Sequence, residues 1–222
     1  MRQLILDLLP ENPPSLDNFV PGGNAEALAA VLTWRAAEPG EFSVFLWGES
    51  GAGKTHLLRA NATSYLDAAR APDLDGVEEI QGRPSDRFAV DHVEALSAAG
   101  QVALFNLFNR LRASGGRLLT AGRLPPVQLA LREDLRTRLG SGLIFRLHPL
   151  SDAEKIEALK HQASSRGIKL PAGALDYLLA RVSRDMRSLM SILVALDRYS
   201  LEQKRPITLP LLREVLQHSP SE

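Results

Sequence analysis

Gly48-Glu49-Ser50-Gly51-Ala52-Gly53-Lys54-Thr55 meets every fixed position of the phosphate-binding pattern G-x-x-x-x-G-K-[ST]. Phe42-Ser43-Val44-Phe45-Leu46-Trp47 precedes it and reads as a buried strand. His56-Leu57-Leu58-Arg59-Ala60-Asn61-Ala62 follows and reads as the start of a helix expected to run to about Arg70. Strand, glycine loop and helix in that order are the context the motif requires. Glycines let backbone N–H groups turn onto phosphate oxygens, and the positive end of the helix supports that charge. In this pattern Lys54 reaches the β- and γ-phosphates and the Thr55 hydroxyl ligates Mg²⁺. The stretch therefore predicts a site for a nucleoside diphosphate or triphosphate on a parallel α/β sheet.

Working outward, Arg87-Phe88-Ala89-Val90-Asp91 is a short apolar strand that ends in an aspartate. In phosphate-loop proteins such an aspartate orients Mg²⁺ through water. His92 comes next, where an active ATPase usually has a second carboxylate; Glu94 lies two residues further on, its direction open. Leu118-Leu119-Thr120-Ala121 and Leu143-Ile144-Phe145-Arg146-Leu147 read as further strands. Val102 to Ala113 has helical apolar spacing, with Phe105 and Phe108 as core. Residues 71–86 are rich in Pro, Asp and Gly, although a parallel nucleotide-binding sheet calls for another strand there. Asn24 is placed to cap the helix from Ala25 to about Ala37, which Pro39-Gly40 stops. Trp34 and Trp47 read as core. Arg132 to Leu139 is charged and rich in arginine, and taken alone reads as a solvated helix face.

Past Pro149 the pattern is helical only. Ser151-Asp152-Ala153-Glu154 is a capping box, and helices are expected at about 152–165, 172–182, 185–203 and 209–217. The expected organisation is a tail over 1–18, an α/β base over 19–148 and an all-helical lid over 149–222. The tail carries Gln3-Leu4-Ile5-Leu6-Asp7-Leu8, which suits either a partner's groove or an edge strand or flap packed on this protein's own core.

Composition narrows the class. Of 222 residues, 45% are apolar, and Lys plus Arg equals Asp plus Glu at 26 each, so no bulk charge draws the chain to nucleic acid or membrane. The absence of cysteine excludes disulfides and thiolate metal sites. The five histidines lack metal-ligand spacing, and no apolar run approaches a membrane span. The short N-terminal leucine stretch is broken by Asp7 and makes no signal peptide, so a cytoplasmic protein is expected.

The order of these parts resembles the AAA+ ATPase domain of the bacterial replication initiator DnaA, and more closely the Hda-type DnaA-related regulators. The likeness runs along nearly the whole chain. Gln3, Leu4, Leu6 and Leu8 are similar to the motif by which that group binds the DNA polymerase sliding clamp (the beta subunit). Phe19-Val20-Pro21-Gly22-Gly23-Asn24 resembles the segment near the adenine, which implies roles for Val20 and Pro21. Asp134 to Leu139 resembles box VII, which makes Arg138 the arginine finger acting in trans. Arg184 to Leu189 resembles the sensor 2 segment, with Arg187 in the arginine position. The resemblance implies an AAA+ fold with a helical lid, bound ADP or ATP with Mg²⁺, and catalytic roles for Arg138 and Asp91. It also implies DnaA and the sliding clamp as partners, DNA reached through the clamp, and head-to-tail contact that leaves room for a homodimer or higher oligomer. The chain ends after the lid without the initiator's DNA-binding domain, which fits a negative regulator of initiation better than an initiator. Two positions depart from the family: Arg123 replaces an aspartate in the sensor 1 loop, and His92 replaces the second acidic residue. The competing reading is a self-contained ATPase, such as a helicase loader or small remodelling motor.

Overall fold

The computed structural model describes residues 13–36, 41–80, 82–182, 185–203 and 206–217. Their elements run α1 (Ala25–Ala36), β1 (Ser43–Trp47), α2 (Lys54–Asn61), β2 (Ser64–Asp67) and β3 (Arg87–Asp91). Then come α3 (Ala98–Ser114), β4 (Arg117–Gly122), α4 (Glu133–Leu139) and β5 (Leu143–Arg146). Four helices close the chain: α5 (Asp152–Ser165), α6 (Ala174–Arg181), α7 (Met186–Gln203) and α8 (Leu209–Gln217). The chain divides into two compact units, one spanning Pro13–Pro149 and the other including Leu150 onward.

The first unit is built on a five-stranded, all-parallel sheet of order β2-β3-β4-β1-β5. Helices cover both faces of its centre, which is why the central strands are apolar runs rather than alternating ones. Phe45, Phe88, Val90 and Leu118 point to one face, where Leu104, Leu107, Phe108 and Leu111 of α3 and Leu135 and Leu139 of α4 bury them. Val44, Leu46, Ala89, Leu119 and Ala121 point to the other, against Val31 and Trp34 of α1 and Leu57 and Leu58 of α2. The Trp34 indole donates to the Phe42 carbonyl oxygen at 3.2 Å. Trp47 packs on the core half-buried, with the Arg146 guanidinium 5.1 Å from its ring.

The second unit is helical. Ser151 caps α5 by accepting from the Glu154 N–H, and the Glu154 carboxylate accepts from the Ser151 N–H in return. Leu159, Leu178, Leu179, Leu189, Leu193, Leu196 and Leu212 form its buried centre. Among the described residues no helix is long and apolar enough to cross a membrane.

Three expectations need correction. The helix after the glycine loop stops at Asn61, not near Arg70. Asn61 turns its side-chain amide back onto the Leu57 carbonyl (2.8 Å), and Ala62 is extended. The chain then enters β2, which pairs in parallel with β3 from Ser64↔Phe88 to Asp67↔Asp91. The missing sheet strand therefore exists, but upstream of 71–86, where the described residues hold turns and one 3₁₀ turn, Val77–Glu79. The alanines around Ser64-Tyr65-Leu66-Asp67 favour helix locally, and pairing with β3 overrides that preference. Third, Asn24 does not cap α1. It is 4% exposed, and its side chain holds the peptide of His148: Nδ2 donates to the His148 carbonyl (2.8 Å) and Oδ1 accepts from the His148 N–H (2.7 Å).

Candidate functional site

The site is assembled at the carboxyl ends of the strands, where parallel sheets place their ligands. β1 feeds directly into the glycine loop, and α2 begins at Lys54. Gly48 has φ +146°, and a Cβ there would lie 2.2 Å from the Leu147 carbonyl oxygen, so only glycine fits. Gly53 has φ +93° at the start of α2, with the Phe19 ring where a Cβ would point. Glu49, Ser50 and Gly51 are exposed along the loop and Ala52 is buried beneath it. The cradle, the helix start and the lysine fit a bound di- or triphosphate.

Lys54 is 9% exposed, and its ammonium donates to the carbonyl oxygens of Gly48 (2.7 Å) and Glu49 (2.8 Å). Burial lowers its pKa from the ordinary lysine value; Asp91 and Glu94 pull it back up and Arg123 pushes it further down. A buried cation beside a glycine cradle is a receptor for anionic oxygen.

Asp91 ends β3 with no exposed surface. Its Oδ2 accepts from the Thr55 hydroxyl at 2.6 Å and from the Tyr65 hydroxyl at 3.0 Å. Its Oδ1 accepts from the His92 N–H at 2.9 Å. Thr55 and Asp91, the two residues the sequence assigns to Mg²⁺, are therefore in direct contact. A hydroxyl that can ligate the ion, beside a carboxylate that can accept from its waters, suits a magnesium–nucleotide complex.

β2 brings two groups that sequence reasoning missed. Tyr65 lies beside Asp91, with the Arg59 guanidinium 4.5 Å from its ring centre. Burial, then the Asp91 charge, push the Tyr65 phenol up to about 12. Asp67 pairs with His92, Oδ1 to Nδ1 at 2.9 Å. His92 itself adopts a left-handed conformation, φ +51°. With β2 read as helix, nothing in the sequence put Tyr65 or Asp67 at the tip of β3.

Glu94 lies in the 3₁₀ turn after His92, and its carboxylate comes against Gly122 at the end of β4. Arg123 Nε is 3.5 Å from it. Arg123 thus neighbours the site as an ion-pair partner of Glu94.

The segment before α1 crosses the start of α2. Phe19 packs on the His56 ring at 5.4 Å between centroids, and His56 Nε2 is 2.8 Å from the Ser15 carbonyl oxygen. Val20 and Pro21 follow Phe19, both half-buried. Arg138 occupies the last turn of α4, half-buried, its guanidinium 5.8 Å and 5.9 Å from the ring centres of Phe105 and Phe108. Arg187 is the second residue of α7, in the other unit. Gln3, Leu4, Leu6 and Leu8 lie outside the described residues. A cavity of about 150 Å³, lined by Trp34, Glu41, Arg117 and Leu143, opens at the amino ends of β1, β4 and β5, away from the loop. Among the described residues no histidine–carboxylate cluster could hold a metal by itself.

Comparison with known proteins separates the same two parts. Residues 11–97 match the family model for the bacterial DnaA ATPase domain. Residues 152–216 match the model for the Hda lid domain. Domain III of the Thermotoga maritima replication initiation protein DnaA superposes with a TM-score of 0.71 at 24% identity, over 94% of this chain and 98% of that one. AMPPCP-bound DnaA from Aquifex aeolicus gives 0.66 at 22% identity, over 89% of this chain and 71% of that one. Thermotoga maritima RuvB gives 0.66 at 20%, over 92% and 72%. At these identities the structural likeness is one of fold.

Proposed function

We propose that this chain, whose base matches the bacterial DnaA ATPase domain and whose last helices match the Hda lid domain, is an Hda-like, DnaA-related AAA+ protein and a negative regulator of chromosome replication initiation acting on nucleotide held by the initiator DnaA. The observation that carries this reading is the pairing of a DnaA-type ATPase base with a lid of the Hda family in one chain.

In this reading the chain's own loop, Gly48 to Thr55, holds ADP or ATP, with Val20 and Pro21 beside the adenine and Arg187 contributing from the lid. Lys54 would compensate phosphate charge, and Thr55 and Asp91 are the residues that would hold Mg²⁺. The bound metal–nucleotide supplies charge that fixes the site's arrangement. The direct Thr55–Asp91 contact and the buried Lys54 support this assignment. The AMPPCP complex of the Aquifex relative supports it by likeness. The tail, through Gln3, Leu4, Leu6 and Leu8, docks on the sliding clamp and so meets DNA indirectly, in the cytoplasm.

Arg138 is the group that acts on the partner. It reaches across a head-to-tail contact to the γ-phosphate of DnaA-bound ATP, where a fixed cation stabilises charge in the transition state. To do so it leaves the Phe105 and Phe108 rings. Such a contact is worth about 0.5–1 kcal/mol at a partly exposed site. An arginine supplied in trans raises phosphoryl-transfer rates by roughly 10³–10⁵, about 4–7 kcal/mol of barrier. The aromatic rest position therefore costs far less than the reach returns.

The test is stimulation of DnaA-bound ATP hydrolysis by the wild type and by Arg138→Ala. The variant loses stimulation while keeping nucleotide and clamp binding; preserved stimulation removes Arg138 from the role. Gln3→Ala with Leu4→Ala abolishes clamp capture, and unchanged capture gives the tail a structural role. The assembled Lys54, Thr55 and Asp91 also favour a second reading, an ATPase working on its own nucleotide. His92, in place of a second carboxylate, weighs against it. Fast turnover by the purified chain alone would establish the motor, and negligible turnover the regulator.

A further inference from the structure

The regulator reading leaves Tyr65 without a task, although it is bound to the most buried carboxylate of the site. Asp91 has no exposed surface, so each of its oxygens depends on protein donors or on a ligand. Thr55 and Tyr65 share Oδ2, and the His92 N–H serves Oδ1. Tyr65 is itself held from behind by Arg59, which sits one helical turn after Thr55 on α2. The tyrosine thus bridges the loop helix and the tip of β3, with its hydroxyl on the same oxygen as the threonine.

We propose that Tyr65 is a positioning residue for the metal side of the nucleotide site, acting through Asp91 to make nucleotide binding less dependent on the divalent cation. The inference rests on the reading that the glycine loop binds nucleotide. A buried carboxylate that loses one of its three donors is a less well compensated negative charge beside incoming phosphates. With Mg²⁺ in the site, a water held by the ion would supply the missing donor. When Mg²⁺ is absent, only protein donors can, and Tyr65 is one of three. Removing the phenolic hydroxyl therefore weakens binding chiefly in the metal-free condition. Tyr65→Phe does this while keeping the ring that stacks on Arg59.

The test is calorimetric titration of the full chain with ADP, in excess Mg²⁺ and in EDTA, for wild type, Tyr65→Phe, Asp91→Asn and the double variant. We expect the ratio of the two dissociation constants, EDTA over Mg²⁺, to rise about fivefold in Tyr65→Phe, with ADP affinity in Mg²⁺ within about twofold of wild type. In the Asp91→Asn background the same substitution leaves the ratio unchanged, because the charge that needs the donor has gone. A merely structural tyrosine would shift both conditions equally, and that result overturns the proposal. So does an effect that persists at full size in Asp91→Asn. If wild-type protein binds no ADP in either condition, the nucleotide reading falls and this inference with it. Wild-type binding with an unaltered ratio in Tyr65→Phe overturns this inference alone.

Discussion

Replacing Asn24 with alanine removes a clasp that joins positions 124 residues apart, the start of α1 and the segment that follows β5. Two hydrogen bonds, 2.8 Å and 2.7 Å, go at once, both to the peptide of His148. Each contributes about 0.5–1.5 kcal/mol net, and a peptide group left without a partner costs about 1–3 kcal/mol. The His148 residue is exposed, so water recovers part of that cost. The sum is about 2–3 kcal/mol for the α/β unit. For a unit of this size it lowers the melting midpoint by roughly 6–15 °C. Both tryptophans of the chain, Trp34 and Trp47, lie in that unit, so intrinsic fluorescence follows its unfolding apart from the helical unit. Asn24→Asp retains the acceptor for the His148 N–H but sets a carboxylate oxygen against the His148 carbonyl, and destabilises at least as much. A fluorescence midpoint for Asn24→Ala within about 2 °C of wild type would refute the reasoning, because it would value both bonds at well under 1 kcal/mol.

Gly48→Ala places a Cβ 2.2 Å from the Leu147 carbonyl oxygen at φ +146°, so the loop and the segment behind it must separate; loss of nucleotide binding with a lowered midpoint is expected, and a wild-type profile would contradict it. Tyr65 gives a pH signature. Its folded pKa, about 12, lies above the ordinary value of 10.0, so its contribution is complete below pH 10 and is lost as pH rises toward 12. Absorbance titration of phenolate then shows a component that ionises late, and Tyr65→Phe deletes it. A late component that survives the substitution belongs to another tyrosine.

Four of the five strands were legible because β1, β3, β4 and β5 come from apolar runs. The exception, β2, is an edge strand of four residues, all half-buried, set among alanines. Neither period nor composition separates such a segment from the end of a helix; only its register with β3 does. The site divides along the same line. Gly48, Lys54, Thr55 and Asp91 were readable because phosphate and metal chemistry demand those residue types at the ends of particular elements. Tyr65 and Asp67 were hidden with their strand. The Asn24–His148 clasp had no local signal, since an asparagine before a helix reads as a cap wherever its side chain goes. The direction of Glu94 depended on a 3₁₀ turn and on Arg123, a residue distant in sequence.

The regulator account is tested most directly by the rate at which DnaA-bound ATP becomes ADP, with this protein and DNA-loaded sliding clamp supplied together and then omitted one at a time. The account predicts acceleration that needs both and disappears in Arg138→Ala. No acceleration, with clamp binding intact and DnaA competent for hydrolysis, would contradict it.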